Sequence, residues 1–367
     1  MVSKCMLSLL AAAGLSLAAP RLIRPIVAPV PNDPLELATS SVREIKSPAK
    51  RSDLVQLLER ARHNFDLRSG PQGYDLKVRF TVDSGGQTEY DGAWKMEDIF
   101  DPKLGHYWTA DTSGSYAITR ISSHEKLYGE ETADPIPLRL QEARAALFDS
   151  IPAAKSIGNA AIRKSAAVFN NTRLTCLLLS SSEVGGRAIP GRRWDESEEC
   201  IDPQTGLVKI HSQVPGRYFL YDYSNAPRFG DRTFPRKVTV TEAGRTVTTI
   251  SVESLTELPS ADPNLFVPTG DMKERGRAIA MARAQKIWRS GEVPAGAAAH
   301  AVCIFGVVTP QGKLVEAHSL QPSDPNSQAA IEAAEQMTFH YPALLAARPQ
   351  QHFVFVIQEF GSAPARR

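Results

Sequence analysis

Nowhere does the 367-residue chain run for the roughly 18 to 20 consecutive apolar residues that a membrane-spanning helix requires. It also lacks charge of one dominant sign, with 42 basic residues facing 40 acidic ones for a formal net charge of +2. No basic stripe interleaved with aromatics breaks that balance, so the electrostatic grip on a phosphate backbone is missing and no nucleic-acid partner is expected. There is no G-x-S-x-G elbow, no H-E-x-x-H helix and no C-x-x-C pair. The eight histidines, at positions 63, 106, 124, 211, 300, 318, 340 and 352, show no ligand spacing. These absences set no catalytic residue, no metal site and no cofactor among the expectations, and they favour a non-enzymatic protein.

Cysteine is sparse, at four residues, and their placement carries information. Cys5 lies in the apolar run Cys5 to Leu17, which follows the positive start Met1 to Lys4 and precedes small residues at Ser16-Leu17-Ala18. That is the layout of an export signal over residues 1–18, with cleavage expected after Ala18 and with a membrane anchor as the alternative reading. Cys176 sits in the strand-like run Arg173 to Leu179, and Cys200 precedes the turn Ile201-Asp-Pro-Gln-Thr-Gly206. In an oxidising compartment these two can pair. Closing that loop would stabilise the fold by roughly 3 kcal/mol on the chain-entropy model. Cys303 reads as a small core residue of a strand.

Six prolines between residues 20 and 48 mark an extended linker over 19–48. Ser52-Asp53 then opens a helix whose apolar face is Leu54, Val55, Leu57, Leu58, Ala61 and Phe65. From Leu76 the period changes to two: Leu76, Val78, Phe80 and Val82 alternate with polar residues. Strands are expected at Thr88 to Met96, Tyr107 to Ala110, Tyr116 to Ile121, Ala166 to Phe169, Leu174 to Ser180, Leu207 to Gln213 and Tyr218 to Tyr223. Lys237 to Thr241 and Thr246 to Leu255 flank the polar turn Glu242-Ala-Gly-Arg245, the clearest hairpin. A helix at Pro135 to Phe148 interrupts the series. Up to ten strands with few helices argue for an antiparallel, not a doubly wound parallel, arrangement over 49–268.

Lys273 to Trp288 reads as a helix inside a connector at 269–298, ending in the Gly/Pro/Ala-rich stretch Gly291 to Ala299. The final unit, 299–362, has the order strand 301–309, turn, strand 314–320, helix 325–337, strand 352–360, and a tail at 363–367. The acidic run Asp195-Glu-Ser-Glu-Glu199 and the pair Glu97-Asp98 read as solvated.

Two resemblances refine this. Gly306-Val-Val-Thr-Pro-Gln-Gly-Lys-Leu-Val-Glu-Ala317, the helix introduced by Ser323-Asp-Pro325, Met337-Thr-Phe339, Pro342-Ala343 and the strand Phe353-Val-Phe-Val-Ile357 resemble the TonB C-terminal domain family. The chain departs from that family in missing its Tyr-Pro-x-x-Ala segment, in its short spacer and in its cleavable N-terminus. It therefore fits a docking module better than an energy transducer. The resemblance implies that Phe353, Val354, Phe355, Val356, Ile357, Gln358 and Glu359 form an exposed edge, where an extended segment of an envelope protein adds as a further strand. Phe234-Pro235 before the hairpin, and Ala261-Asp-Pro-Asn-Leu-Phe266 with Pro268 after it, resemble the ending of LolA/LolB-type lipoprotein carriers. That implies a concave face able to hold a lipid or lipoprotein acyl chain, with a filled core as the alternative.

The expected class is therefore α+β: a curved, half-barrel-like antiparallel sheet with packed helices, followed by a small β-β-α-β TonB-like domain. The expected location is the periplasm. Unfolded without reductant, the processed protein should titrate one thiol, Cys303, and three after reduction. Three thiols without reductant would remove the Cys176–Cys200 bridge.

Overall fold

The computed structural model describes residues 41–86, 88–123, 126–133, 136–153, 157–158, 160–181, 189–275, 285–290, 300–309, 311–339 and 352–360. The expected export signal, residues 19–40 of the linker, the stretch 291–299, Pro342-Ala343 and the tail 363–367 lie outside them.

Helix α1 spans Pro48–His63, four residues earlier than Ser52, because Pro48 suits a first helical turn whose N–H has no partner in any case. Leu54, Leu57, Leu58 and Ala61 recur at helical spacing and are buried. Helix α2 is Leu138–Phe148, preceded by Pro137, and it buries Leu140, Ala143, Ala146 and Leu147 on one side.

Alternating patterns produce the strands β1 (Gly73–Val82), β2 (Gly92–Asp101), β3 (Gly105–Thr112), β4 (Tyr116–Ser123) and β5 (Lys126–Glu131). After α2 come β6 (Ala161–Phe169), β7 (Thr172–Ser180), β8 (Ser197–Ile201), β9 (Val208–Val214) and β10 (Arg217–Asp222). The expected hairpin is β11 (Lys237–Glu242) and β12 (Arg245–Leu258), and β13 is Lys273–Arg275. These form one open, curved sheet of 13 strands in the order β13-β5-β4-β3-β2-β1-β12-β11-β10-β9-β8-β7-β6. Each neighbouring pair is antiparallel. Two meanders are thus joined at the centre, where β12 runs along β1 from Leu258↔Gly73 to Thr248↔Val82.

The inner face is apolar. Leu76, Val78, Phe80, Trp94, Met96, Phe219, Val238, Val240 and Ile250 form one buried cluster with Leu54, Leu57 and Leu58 of α1 and Leu140 and Leu147 of α2. The sheet is therefore covered on this side by the protein's own helices, which fill it in this conformation.

The C-terminal unit holds β14 (Gln285–Ser290), β15 (His300–Val308), β16 (Leu314–Ser319), α3 (Ser327–Glu335) and β17 (His352–Phe360). Its sheet order is β14-β17-β15-β16. The β15–β16 hairpin, α3 and β17 follow the expected order. Residues 285–290 do not: they form a strand where a helix was expected, running parallel to β17 from Gln285↔Val354 to Ser290↔Glu359. The apolar spacing of 273–288 fits a helix locally. The available hydrogen bonds are on the rim of β17, and Ile287 packs against the α3 side of the sheet. Lys273–Arg275 likewise forms an edge strand on β5.

This second sheet is not a separate bead. Its face formed by Ala301, Cys303, Phe305, Phe353, Phe355 and Ile357 packs on Leu138, Trp194 and Val214 of the first unit, while the opposite face packs on Ala330 and Ala334 of α3. At the seam, Gly216 has φ +89°, and an added Cβ would lie 3.0 Å from the Leu320 Cβ, so glycine serves both the turn and the close approach.

Candidate functional site

The expected partner-binding edge, Phe353 to Glu359, is interior. β15 pairs with it on one side from His300↔Phe360 to Val308↔His352, and β14 occupies the other side at Val354 to Glu359. Phe353, Val354, Phe355, Val356, Ile357 and Gln358 are buried, and Glu359 is partly so. The N–H and C=O groups assigned to a guest strand are thus used by the chain's own residues 285–290, which overturns strand addition at this position.

The unexpected feature of the seam is charge. α2 brings Arg139 and Glu142, the β9–β10 turn brings Arg217, and the end of β11 brings Glu242, all four essentially inaccessible to solvent. Arg139 Nη1 donates to Glu242 Oε1 at 2.6 Å and to Glu142 Oε2 at 3.0 Å. Arg217 donates through Nε to Glu242 Oε1 at 2.9 Å and through Nη2 to Glu142. Both guanidinium groups lie over the Phe305 ring, 5.1 Å from its centroid. From β16, His318 Nε2 reaches Glu242 Oε2 at 3.0 Å. Arg139 and Arg217 hold the Glu242 carboxyl well below the usual range. Glu316 of β16 has no such pairing: its Oε2 is 4.0 Å from Arg139 Nη2, its φ is +52°, and burial pushes its carboxyl up to about 7.

The run Asp195 to Glu199 is also not solvated. Glu196, Glu198 and Glu199 are buried, in β8 and just before it. Glu196 accepts from Arg163 Nε at 2.6 Å and Arg193 Nε at 3.1 Å. Glu198 accepts from Arg192 Nη1 at 3.0 Å, and Glu199 lies 2.8 Å from His211 Nδ1. Cys176 and Cys200 face one another across β7 and β8 with sulfurs 2.07 Å apart, a disulfide, and Cys303 is a buried free thiol. Cys176, Glu198 and Cys200 lie close enough to hold a metal, but the bridge occupies both sulfurs.

A third cluster sits where α2 crosses β2 and β3. β2 points Trp94, Met96 and Asp98 inward in alternation, and Asp98 lies opposite Leu76 and Trp108 in register. Its carboxylate, fully buried, accepts from Tyr74 Oη at 2.7 Å and Arg144 Nη1 at 2.9 Å, with His106 Nε2 at 2.9 Å and Arg68 Nη2 at 3.5 Å. Those cations hold it far below the usual carboxylate range. Arg144 stacks 3.7 Å from the centroid of Trp108, and Arg68 lies 4.7 Å from that of Phe148. Trp108, Phe148 and Phe100 are partly buried and continuous with the inner-face core. The seam of α2 therefore opens on an aromatic rim crossed by two guanidinium groups. The sequence held one signal of it, an acid at an inward position of an alternating strand. Arg68, His106, Trp108, Arg144 and Phe148 are brought to that acid only by the fold.

A separate cleft of about 330 Å³ at the β6–β7 turn is lined by Phe169, Asn170, Lys209, Tyr221, Asp222 and Tyr223, a mixed polar and aromatic lining.

Neither a protein-family model nor a curated protein matches the chain. Among solved structures, it is similar to a LolA superfamily protein, NE2245, from Nitrosomonas europaea, at 10% identity and a TM-score of 0.36 over 58% of this chain and 96% of that one. It is also similar to a putative outer membrane lipoprotein-sorting protein domain from Vibrio parahaemolyticus, at 9% identity and a TM-score of 0.34 over 57% and 95%. MucB in complex with periplasmic MucA gives 9% identity and a TM-score of 0.24 over 68% and 74%. Likenesses this distant establish neither family nor function, and none of the three is a TonB protein.

Glu316 gives a pH signature. Its folded value near 7 lies above the ordinary value of 4.5, so between those limits the folded state holds a proton that the unfolded chain releases. Stability conferred by that proton is lost as pH rises through the window. Urea midpoints should fall from pH 5 to pH 7.5 more steeply in the wild type than in Glu316→Gln. Parallel curves would contradict the assignment.

Proposed function

We propose that the protein is an exported, non-enzymatic binding protein of the bacterial envelope, and that it carries a lipid or lipoprotein acyl chain between α2 and the inner face of the large sheet. One observation carries the reading: the core of that sheet continues, at the α2 seam, into the partly exposed rim of Trp108, Phe148 and Phe100. Apolar side chains at a rim mark an entrance more readily than a finished surface.

α2 is held to the sheet by side-chain packing of Leu140, Ala143, Ala146 and Leu147 and by the ion pairs of Arg139, Glu142 and Arg144, not by strand pairing. Shifting it leaves every backbone ladder intact. Each methylene of an incoming chain buried in place of those contacts contributes about 0.8 kcal/mol.

Support for export comes from the Cys176–Cys200 bridge, since disulfides persist in oxidising compartments. Support for a non-catalytic role comes from three buried acids that are committed to fixed cationic partners: Asp98 to Arg144, Glu196 to Arg163, Glu242 to Arg139. A carboxylate locked in this way is a poor proton carrier near neutral pH.

Native mass spectrometry of the protein after gentle extraction should show an added acyl-lipid mass, and a fluorescent fatty acid should bind the delipidated protein saturably. No added mass together with no saturable binding would end the proposal.

A further inference from the structure

The Asp98 cluster holds more cation than its carboxylate needs. Tyr74, His106 and Arg144 alone supply three contacts of 2.9 Å or less to Asp98. Arg68 adds a second guanidinium at 3.5 Å, and its side chain is 36% exposed where that of Asp98 is 0%. The next acid, Asp149, is exposed and attracts Arg68 less than Asp98 does. Each guanidinium carries five N–H donors in a rigid fork. Among the described residues, Arg144 makes its hydrogen bonds through Nη1 alone, and Arg68 through Nε and Nη2. That leaves Nε and Nη2 of Arg144 and Nη1 of Arg68 without acceptors among the described residues. Both groups are fixed in place by the Trp108 and Phe148 rings, so little side-chain freedom is lost when an anion arrives.

A structural role accounts for one arginine, the partner that a buried carboxylate requires. It does not account for a second, more exposed one whose Nη1 has no hydrogen bond among the described residues.

We infer that Arg68 and Arg144 form an oxyanion head site at the mouth of the α2 seam, so that the preferred ligand is an amphiphile with a phosphate or carboxylate head and a single apolar tail. The inference rests on the proposed binding of an acyl chain and adds the class of head that it carries. The head bridges the two forks. The tail passes Met96, whose sulfur lies 3.9 Å from Arg144 Nη1, into the inner-face core.

The test compares oleoyl lysophosphatidic acid with monooleoylglycerol, which has the same tail and no charge, and with inorganic phosphate as a competitor. Binding is measured by fluorescent fatty-acid displacement on the full processed chain. Wild type should prefer the anionic ligand, and Arg68→Gln and Arg144→Gln should each weaken it roughly ten- to a hundredfold, the usual range for a hydrogen bond to a charged group. Neither substitution should move the neutral ligand. Because Arg144→Gln removes a partner of buried Asp98, its urea midpoint is measured alongside, and exposed Arg68→Gln carries the result if Arg144→Gln unfolds. Equal binding of both lipids, unchanged by the substitutions, overturns the head site and leaves the carrier reading standing. Complete displacement by inorganic phosphate with no dependence on the tail also overturns it, in favour of a free-anion site. Binding of neither lipid removes the carrier reading itself.

Discussion

Helix α2 cannot lay its apolar side on the sheet without taking charge into the interior, and the rest of the molecule is arranged around that constraint. Arg139 and Glu142 near its start and Arg144 further along are all held against the fold. A buried charge left without a partner costs about 3–5 kcal/mol, so each needs an answer from elsewhere in the chain. Arg217 and Glu242 supply one from the ends of β10 and β11, and Asp98 supplies the other from β2. The strands that carry these answers are distant in sequence, and pairing them fixes where α2 sits and in which register.

The same network explains why the C-terminal sheet is part of the body and not a tethered hook. Phe305 lies against both Arg139 and Arg217, and His318 approaches Glu242. Phe305, Phe353 and Phe355 close over Trp194 and Val214. Together with β14 on the rim of β17, this leaves Phe353 to Glu359 as a structural strand. The surfaces that remain for ligands are therefore the seam of α2 and the outer margins of the two sheets. Among the described residues, the seam joins the large apolar core to guanidinium groups at its mouth.

Much of the architecture was legible from local pattern. Alternation located β1, the apolar run from Leu174 located β7, the turn at Gly244 located the β11–β12 hairpin, and the apolar face from Leu54 to Ala61 located α1. β5 was not legible, because Lys126-Leu-Tyr-Gly-Glu-Glu131 has no clean alternation and gains its place from β4 and β13. β14 was misread because a parallel partner far along the chain leaves no local turn signal. The acids of 195–199 and Asp98 were misread for a related reason. Charge patterning along a sequence does not show burial: Arg192 and Arg193 lie close in sequence to the acids they pair with, while Arg163, Arg144, Arg68 and His211 are brought in by the fold. The candidate site was consequently the least legible part: its framework could be read, but its chemistry is a product of long-range contact.

The most direct test of the central claim, that an acyl chain enters under α2, is photo-cross-linking with a fatty acid carrying a diazirine near its methyl end. The account predicts adducts on the buried side of α2, from Leu140 to Leu147, and on the facing residues Phe80, Trp94 and Met96. Adducts confined to the outer face of the sheet or to the C-terminal unit, or no adduct above that of an unfolded control, would contradict it.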